Sequence, residues 1–170
     1  MLSTCDFRTE KGRYSMKILA FDPGINGGIA RLECLGEKIT KAAAIPMPVK
    51  DKELDLAEIV KFIQGADHCF IERVWGFPGG SSKSLCTTCL NYGKLLTLIW
   101  VERILCDELS SRTWQAKILP KGCLDTKAAS IAVCQEKFPE VSLTPGRKRK
   151  PHDGMADALC IALYGWLYVI

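Results

Sequence analysis

Apolar residues in this chain fall into two kinds of block: short dense runs, and longer stretches at helical spacing. Residues 17–21 hold the run Ile18-Leu19-Ala20-Phe21, the composition of a buried strand. Pro23-Gly24-Ile25-Asn26-Gly27-Gly28 then turns the chain, and residues 28–34 read as the returning strand of a hairpin. Residues 38–45 read as a third strand, weakened by its alanines and stopped by Pro46-Met47-Pro48. Asp55, with Glu58 three positions on, resembles a helix-capping box, and Leu56, Ile59, Val60 and Ile63 carry a helix over 56–64. A fourth strand follows over 67–72, built on Cys69-Phe70-Ile71.

The second half is richer in helix. Residues 75–82 form a Gly/Pro/Ser loop containing Trp75 and Phe77. Residues 84–102 predict a long helix, apolar on much of its surface. Its Gly93 costs about 1 kcal/mol against alanine, which points to close packing or the approach of a ligand. A fifth strand is expected over 104–109 and a short helix over 112–118. Asp125 caps a helix to about residue 137, with Ala128, Ala129, Ala132 and Val133 inward. Residues 138–151 are a loop, and 153–168 the final helix. Strands first, then alternating helix and strand, predict an α/β fold: a mixed five-stranded sheet with helices on both faces.

Length and composition narrow the class. The 170 residues suit one domain, and 48% hydrophobic with 25% charged is a globular balance. Residues 16–170 read as that domain. Residues 1–15 are polar and without period, and read as a flexible N-terminal extension or the product of an upstream start; they lack the apolar core of a signal peptide. No run reaches the roughly 18 to 20 apolar residues that span a bilayer, so no membrane partner is expected. Nine cysteines without a secretory signal read as reduced, mostly buried thiols, which places the protein in a reducing compartment: cytoplasm, nucleoid, a host cytoplasm or an organelle. Cys86-Thr87-Thr88-Cys89 lacks the two further ligands a zinc site needs and reads as two cysteines on a core helix. The net charge of +4 says less than its distribution, because Arg147-Lys148-Arg149-Lys150 stand together just before Pro151-His152-Asp153.

Four acids carry the chemistry. Asp22 and Glu72 each end an apolar strand, where a carboxylate is costly unless something pairs with it. Asp153 and Asp157 stand at i and i+4, on one face at the head of the last helix. If strands one and four are neighbours, all four acids can converge on hard cations, with water and phosphate completing the ligand set. Two ions about 4 Å apart can activate water and stabilise a leaving oxygen. Each acid also has a plainer role open to it: Asp22 in a turn, Glu72 paired with Arg73, Asp153 as a helix cap. Asp157 is the hardest to explain this way, since Ala156, Ala158, Leu159 and Cys160 surround it. His152 adjoins the pair as a further ligand or proton carrier, or simply as a loop residue.

Phe21-Asp22-Pro23-Gly24, Ile71-Glu72-Arg73-Val74 and His152-Asp153-Gly154-Met155-Ala156-Asp157-Ala158-Leu159 resemble the RuvC Holliday-junction resolvases, most closely the phage-type and chloroplast-type branches. Ile45-Pro46-Met47-Pro48 and Arg112-Thr113-Trp114 add to the likeness, which runs from about residue 16 to 168. The resemblance implies an RNase H-like fold and a homodimer that cuts four-way DNA junctions symmetrically with Mg²⁺ or Mn²⁺. It makes Asp22, Glu72, Asp153 and Asp157 the catalytic, metal-holding acids. The i, i+4 spacing departs from the i, i+3 of many bacterial members and leaves His152 and Asp153 as rivals for the third ligand. Trp75 takes the position of an aromatic that wedges into the junction, with Phe77 close by; such rings stack on exposed bases. Lys83, Arg112, Lys117, Lys121, Lys127 and Arg147 to Lys150 are candidate phosphate contacts, although a charge run is also an ordinary solvated loop. The long 84–102 helix is the candidate dimer surface.

Other functions share parts of this pattern. An RNase H-like nuclease could act on other branched DNA or on RNA. A non-catalytic DNA-binding module would carry the cations without using the acids. Phosphotransferases of the actin and sugar-kinase type also begin with an acid-and-glycine hairpin, but need a second domain for which 170 residues leave no room.

Overall fold

The computed structural model describes residues 15–74, 82–146 and 149–170. Strand β1 (Ser15–Asp22) turns into β2 (Gly28–Leu35), and β2 into β3 (Lys38–Pro46). A small hairpin of β4 (Val49–Lys50) and β5 (Glu53–Leu54) leads to helix α1 (Leu56–Ile63), strand β6 (His68–Glu72) and helix α2 (Ser82–Val101). Strand β7 (Leu105–Leu109), then helices α3 (Ser111–Ile118), α4 (Thr126–Lys137) and α5 (Asp153–Tyr168) complete the order. The sheet runs β3-β2-β1-β6-β7. Its first three strands are antiparallel, and β6 and β7 continue it in parallel with β1. The mixed five-stranded sheet is thus as expected. The β4–β5 hairpin was not: its strands have two residues each and no apolar alternation to betray them.

Because β1 is central, successive side chains enter opposite cores. Ile18 and Ala20 join α3, α4 and α5 on one face, where Trp114, Met155, Leu159 and Ile161 are buried. Leu19 and Phe21 join α1 and α2 on the other, with Ile59, Ile63, Leu95 and Ile99. Helices therefore cover both faces. Asp55 caps α1 by accepting the Glu58 N–H at 3.2 Å, but Glu58 does not close the reciprocal box; its carboxylate meets Lys61 at 2.6 Å. Along α4 the fully buried positions are Ser130 and Cys134; of the expected inward set, Ala129 and Val133 pack against the core, while Ala128 and Ala132 are exposed. Of the eight described cysteines, four are buried; Cys86, Cys89 and Cys106 are exposed. The Cys86–Cys89 pair is helical as expected, yet lies on the outer side of α2 instead of in the core. Among the described residues no helix is long and apolar enough to cross a membrane.

Helix α5 lies unusually close to the sheet because of its glycines. A Cβ on Gly165 would stand 2.1 Å from the Phe70 ring. Gly165→Ala is therefore expected to lower stability by roughly 1–3 kcal/mol through overpacking, read as a fall in the urea midpoint with an unchanged slope.

Candidate metal centre

The strand register delivers the first two acids. Phe21 on β1 is level with Ile71 on β6, so Asp22 and Glu72 follow side by side on strands about 4.8 Å apart. Phe21 and Ile71 enter the α1–α2 core, so their neighbours turn to the opposite face, under α5. This adjacency is what the convergence of the four acids required.

Three glycines bring the other two acids to them. Gly27, in the turn after Asp22, bridges to Gly154 in the first turn of α5. A Cβ on Gly154 would lie 2.5 Å from the Gly27 Cα, and one on Gly28 would lie 2.6 Å from the Gly154 carbonyl oxygen. Only backbone without side chains can meet at this distance. The head of α5 is thereby pressed onto the β1–β2 turn, and Asp153 and Asp157 come down beside Asp22.

The acids register one another electrostatically. Burial, followed by the charges of Asp157 and Glu72, pushes Asp22 up from 3.8 to about 7; a hydrogen bond from the Gly24 backbone opposes the shift and the Asp153 charge adds to it. Burial also raises Glu72, against the pull of Trp114 and Ser111, and the Asp157 charge raises it further. Asp157 is raised by burial and by Asp153, with Ser130 opposing. Asp153 alone is lowered, chiefly by its hydrogen bond from Lys127.

Each acid also has a partner in its own shell. The Trp114 indole Nε1 donates to Glu72 Oε2 at 2.7 Å, and Lys127 Nζ meets Asp153 Oδ2 at 2.5 Å. Ser130, fully buried, donates to the Thr126 carbonyl at 3.0 Å and stands beside Asp157. The Arg73 guanidinium reaches Glu108 at 3.4 Å. Asp153 does not cap its helix: the N-cap is His152, whose Nδ1 accepts the Met155 N–H at 3.3 Å. That bond keeps the proton off Nδ1 and so occupies one of the two ring nitrogens a ligand or proton carrier would use.

Among the described residues, no three His, Cys, Asp or Glu side chains are posed as a finished metal cage. The donor set nevertheless suits a hard divalent ion: oxygen ligands from two strand ends and one helix, with three of the four acids raised by burial.

The candidate phosphate contacts are scattered. Arg112 is exposed at the head of α3, one residue from Ser111, which touches Glu72. Arg149 and Lys150 are exposed on the approach to α5. Lys127 is at the acids themselves. Lys117 is not: its ammonium lies 5.5 Å from the Tyr168 ring, at the far end of α5 and roughly 22 Å along that helix from Asp153. Lys121 is exposed in the turn between α3 and α4. Lys83 lies in the first turn of α2, with its side chain outside the described residues, as are Trp75, Phe77, Arg147 and Lys148 altogether. Sequence reasoning overlooked Trp114, Ser111 and Ser130 as partners of the acids. For Trp114 a signal existed, because a buried indole N–H needs an acceptor.

A mixed sheet in this order, with acids at the ends of its first and fourth long strands facing the last helix, defines an RNase H-like α/β fold. The fold is that of RuvC. The structure of T. thermophilus RuvC in complex with Holliday junction substrate superposes with a TM-score of 0.62 at 13% identity, covering 90% of this chain and 94% of that one. A second Thermus thermophilus RuvC structure gives 0.53 at 14% identity, covering 87% and 92%. No family model and no curated protein matches the sequence.

Proposed function

We propose that this protein is a structure-selective DNA endonuclease that resolves four-way junctions by divalent-metal-dependent hydrolysis of phosphodiester bonds in recombination and repair. The observation that carries the reading is the meeting of Asp22 with Asp157, Glu72 and Asp153 at one sheet end. The neighbour of the same fold, captured on a Holliday junction substrate, supports the choice of DNA.

Asp22, Glu72, Asp153 and Asp157 would hold Mg²⁺ or Mn²⁺, with room in the ligand count for two ions. Bound there, such ions would supply a nucleophile from water at neutral pH and would neutralise charge developing on the phosphate. The chain's own part is positional. The β1–β6 pairing fixes Asp22 and Glu72, and the Gly27–Gly154 contact fixes the helix that brings Asp153 and Asp157. Lys127, paired with Asp153, stands at the site and would supply a cation for a phosphate oxygen there.

One such site cuts one strand, so paired cuts across a junction call for two copies related by a two-fold axis. The outward stripe of α2 supports that helix as the surface. Cys86, Leu90, Gly93, Thr97 and Trp100 recur at three- and four-residue spacing without a charge, with Leu90 61% and Trp100 80% exposed. A Cβ on Gly93 would meet nothing within 4 Å among the described residues, which suits a surface that a second copy could approach.

The test is cleavage of a synthetic four-way junction, a plain duplex and an RNA–DNA hybrid, each with Mg²⁺, Mn²⁺ or chelator. Paired, symmetric nicks in the junction alone, lost in chelator, are expected. Equal rates on all three substrates would replace the reading with a general RNase H-like nuclease. Binding without cutting under every condition would replace it with a DNA-binding module.

A further inference from the structure

Helix α3 contributes no acid to the centre, yet one of its side chains ends on one and a second stands beside it. Ser111 and Trp114 stand at i and i+3, on one face of the helix. Trp114 is fully buried, and the only polar atom of its side chain, Nε1, donates to Glu72 Oε2 at 2.7 Å. Ser111 lies beside the same carboxylate and, with Trp114, opposes the rise that burial gives it. The helix itself is anchored independently, since Ser110 caps it by accepting the Thr113 N–H at 3.2 Å. Glu72 therefore takes its rotamer from a rigid element packed into the α5 core, whereas the side chain that meets Asp153 is a largely exposed lysine.

We infer that Trp114, with Ser111, is a positioning residue that holds Glu72 in its ion-binding pose by occupying one carboxylate oxygen and leaving the other for the ion. This rests on the metal-dependent reading above and extends it to a helix that supplies no ligand. A carboxylate ligand held this way needs less ordering when the ion arrives, and loss of such outer partners typically costs about 10–100-fold in metal affinity.

The experiment is Mn²⁺ binding to the full chain by titration calorimetry, without DNA, in four forms: wild type, Asp22→Asn, Trp114→Phe and Ser111→Ala. Phenylalanine keeps most of the buried ring volume and removes the N–H. Trp114→Phe is expected to weaken Mn²⁺ binding about tenfold or more, and junction cleavage by the variant should recover when Mn²⁺ is raised in proportion. A merely structural tryptophan would lower the unfolding midpoint without moving the Mn²⁺ midpoint. Wild-type Mn²⁺ affinity in a folded Trp114→Phe, with binding lost in Asp22→Asn, overturns the inference and leaves the metal centre standing. Absence of Mn²⁺ binding in wild type overturns both. Should Trp114→Phe fail to fold, Ser111→Ala decides: it must weaken Mn²⁺ binding in the same direction, and unchanged affinity there refutes the positioning role of α3.

Discussion

Asp22→Asn is expected to abolish junction cutting, by on the order of a thousandfold or more, equivalent to about 4 kcal/mol of transition-state stabilisation, while junction binding is kept or tightened. The reason is local. Asp22 is the acid most affected by the others, with Asp157, Glu72 and Asp153 all bearing on it. An amide of the same shape still fits the turn but is a poorer ligand for a hard cation. Removing one negative charge from a surface meant for phosphate also reduces repulsion in the metal-free complex. Gel-shift affinity and single-turnover cleavage, measured on the same preparation with Mg²⁺, separate the two effects. A variant that cuts at the wild-type rate would remove Asp22 from the chemistry, and with it the proposed centre.

The second large effect is on stability. Without divalent ion, the protein should become less stable as the pH rises from about 4 to about 7. Asp22 titrates at about 7 in the folded chain against an ordinary value of 3.8. Between these values the folded state holds a proton that the unfolded chain has released, so stability falls with rising pH. Below about 4 both states are protonated and no penalty exists; above about 7 it is complete. A rise from 3.8 to about 7 corresponds to about 4 kcal/mol at most. Glu72 and Asp157 are raised as well and act in the same direction. Asp153 is lowered by Lys127 and acts oppositely, favouring the fold above its unfolded value and losing that contribution as pH falls through the lowered one. Urea unfolding at pH 5 and pH 8 in chelator checks the sign, and added Mn²⁺ should restore stability mainly at pH 8. Asp22→Asn should flatten the profile. A metal-free protein more stable at pH 8 than at pH 5 would show that these acids are not crowded in solution.

Much of the fold could be read along the chain because its elements announce themselves locally. β1 and β6 are dense apolar runs ended by an acid, and α4 and α5 begin within a residue of where Asp125 and Asp153 placed them. Where the local signal was weak, the reading slipped. The β4–β5 hairpin has too few residues to show a period. Ser15 already belongs to β1, one residue inside the stretch read as an extension. Small apolar residues located half of the inward face of α4, Ala129 and Val133, but its most buried positions are Ser130 and Cys134, selected by packing on α5 beside Asp157 and Cys160.

Residue types and order along the chain determined which acids are candidates for the site, the strand and helix ends that carry them, and the class of sheet. They did so because strand burial and helix capping depend on near neighbours in sequence. Whether the acids meet was decided only in three dimensions: by the β1–β6 register, by backbone contact of Gly27 and Gly28 with Gly154, and by side chains from α3 and α4 arriving on Glu72, Asp153 and Asp157. Those contacts join residues tens of positions apart, and their geometry comes from close packing of whole elements, which no local pattern encodes.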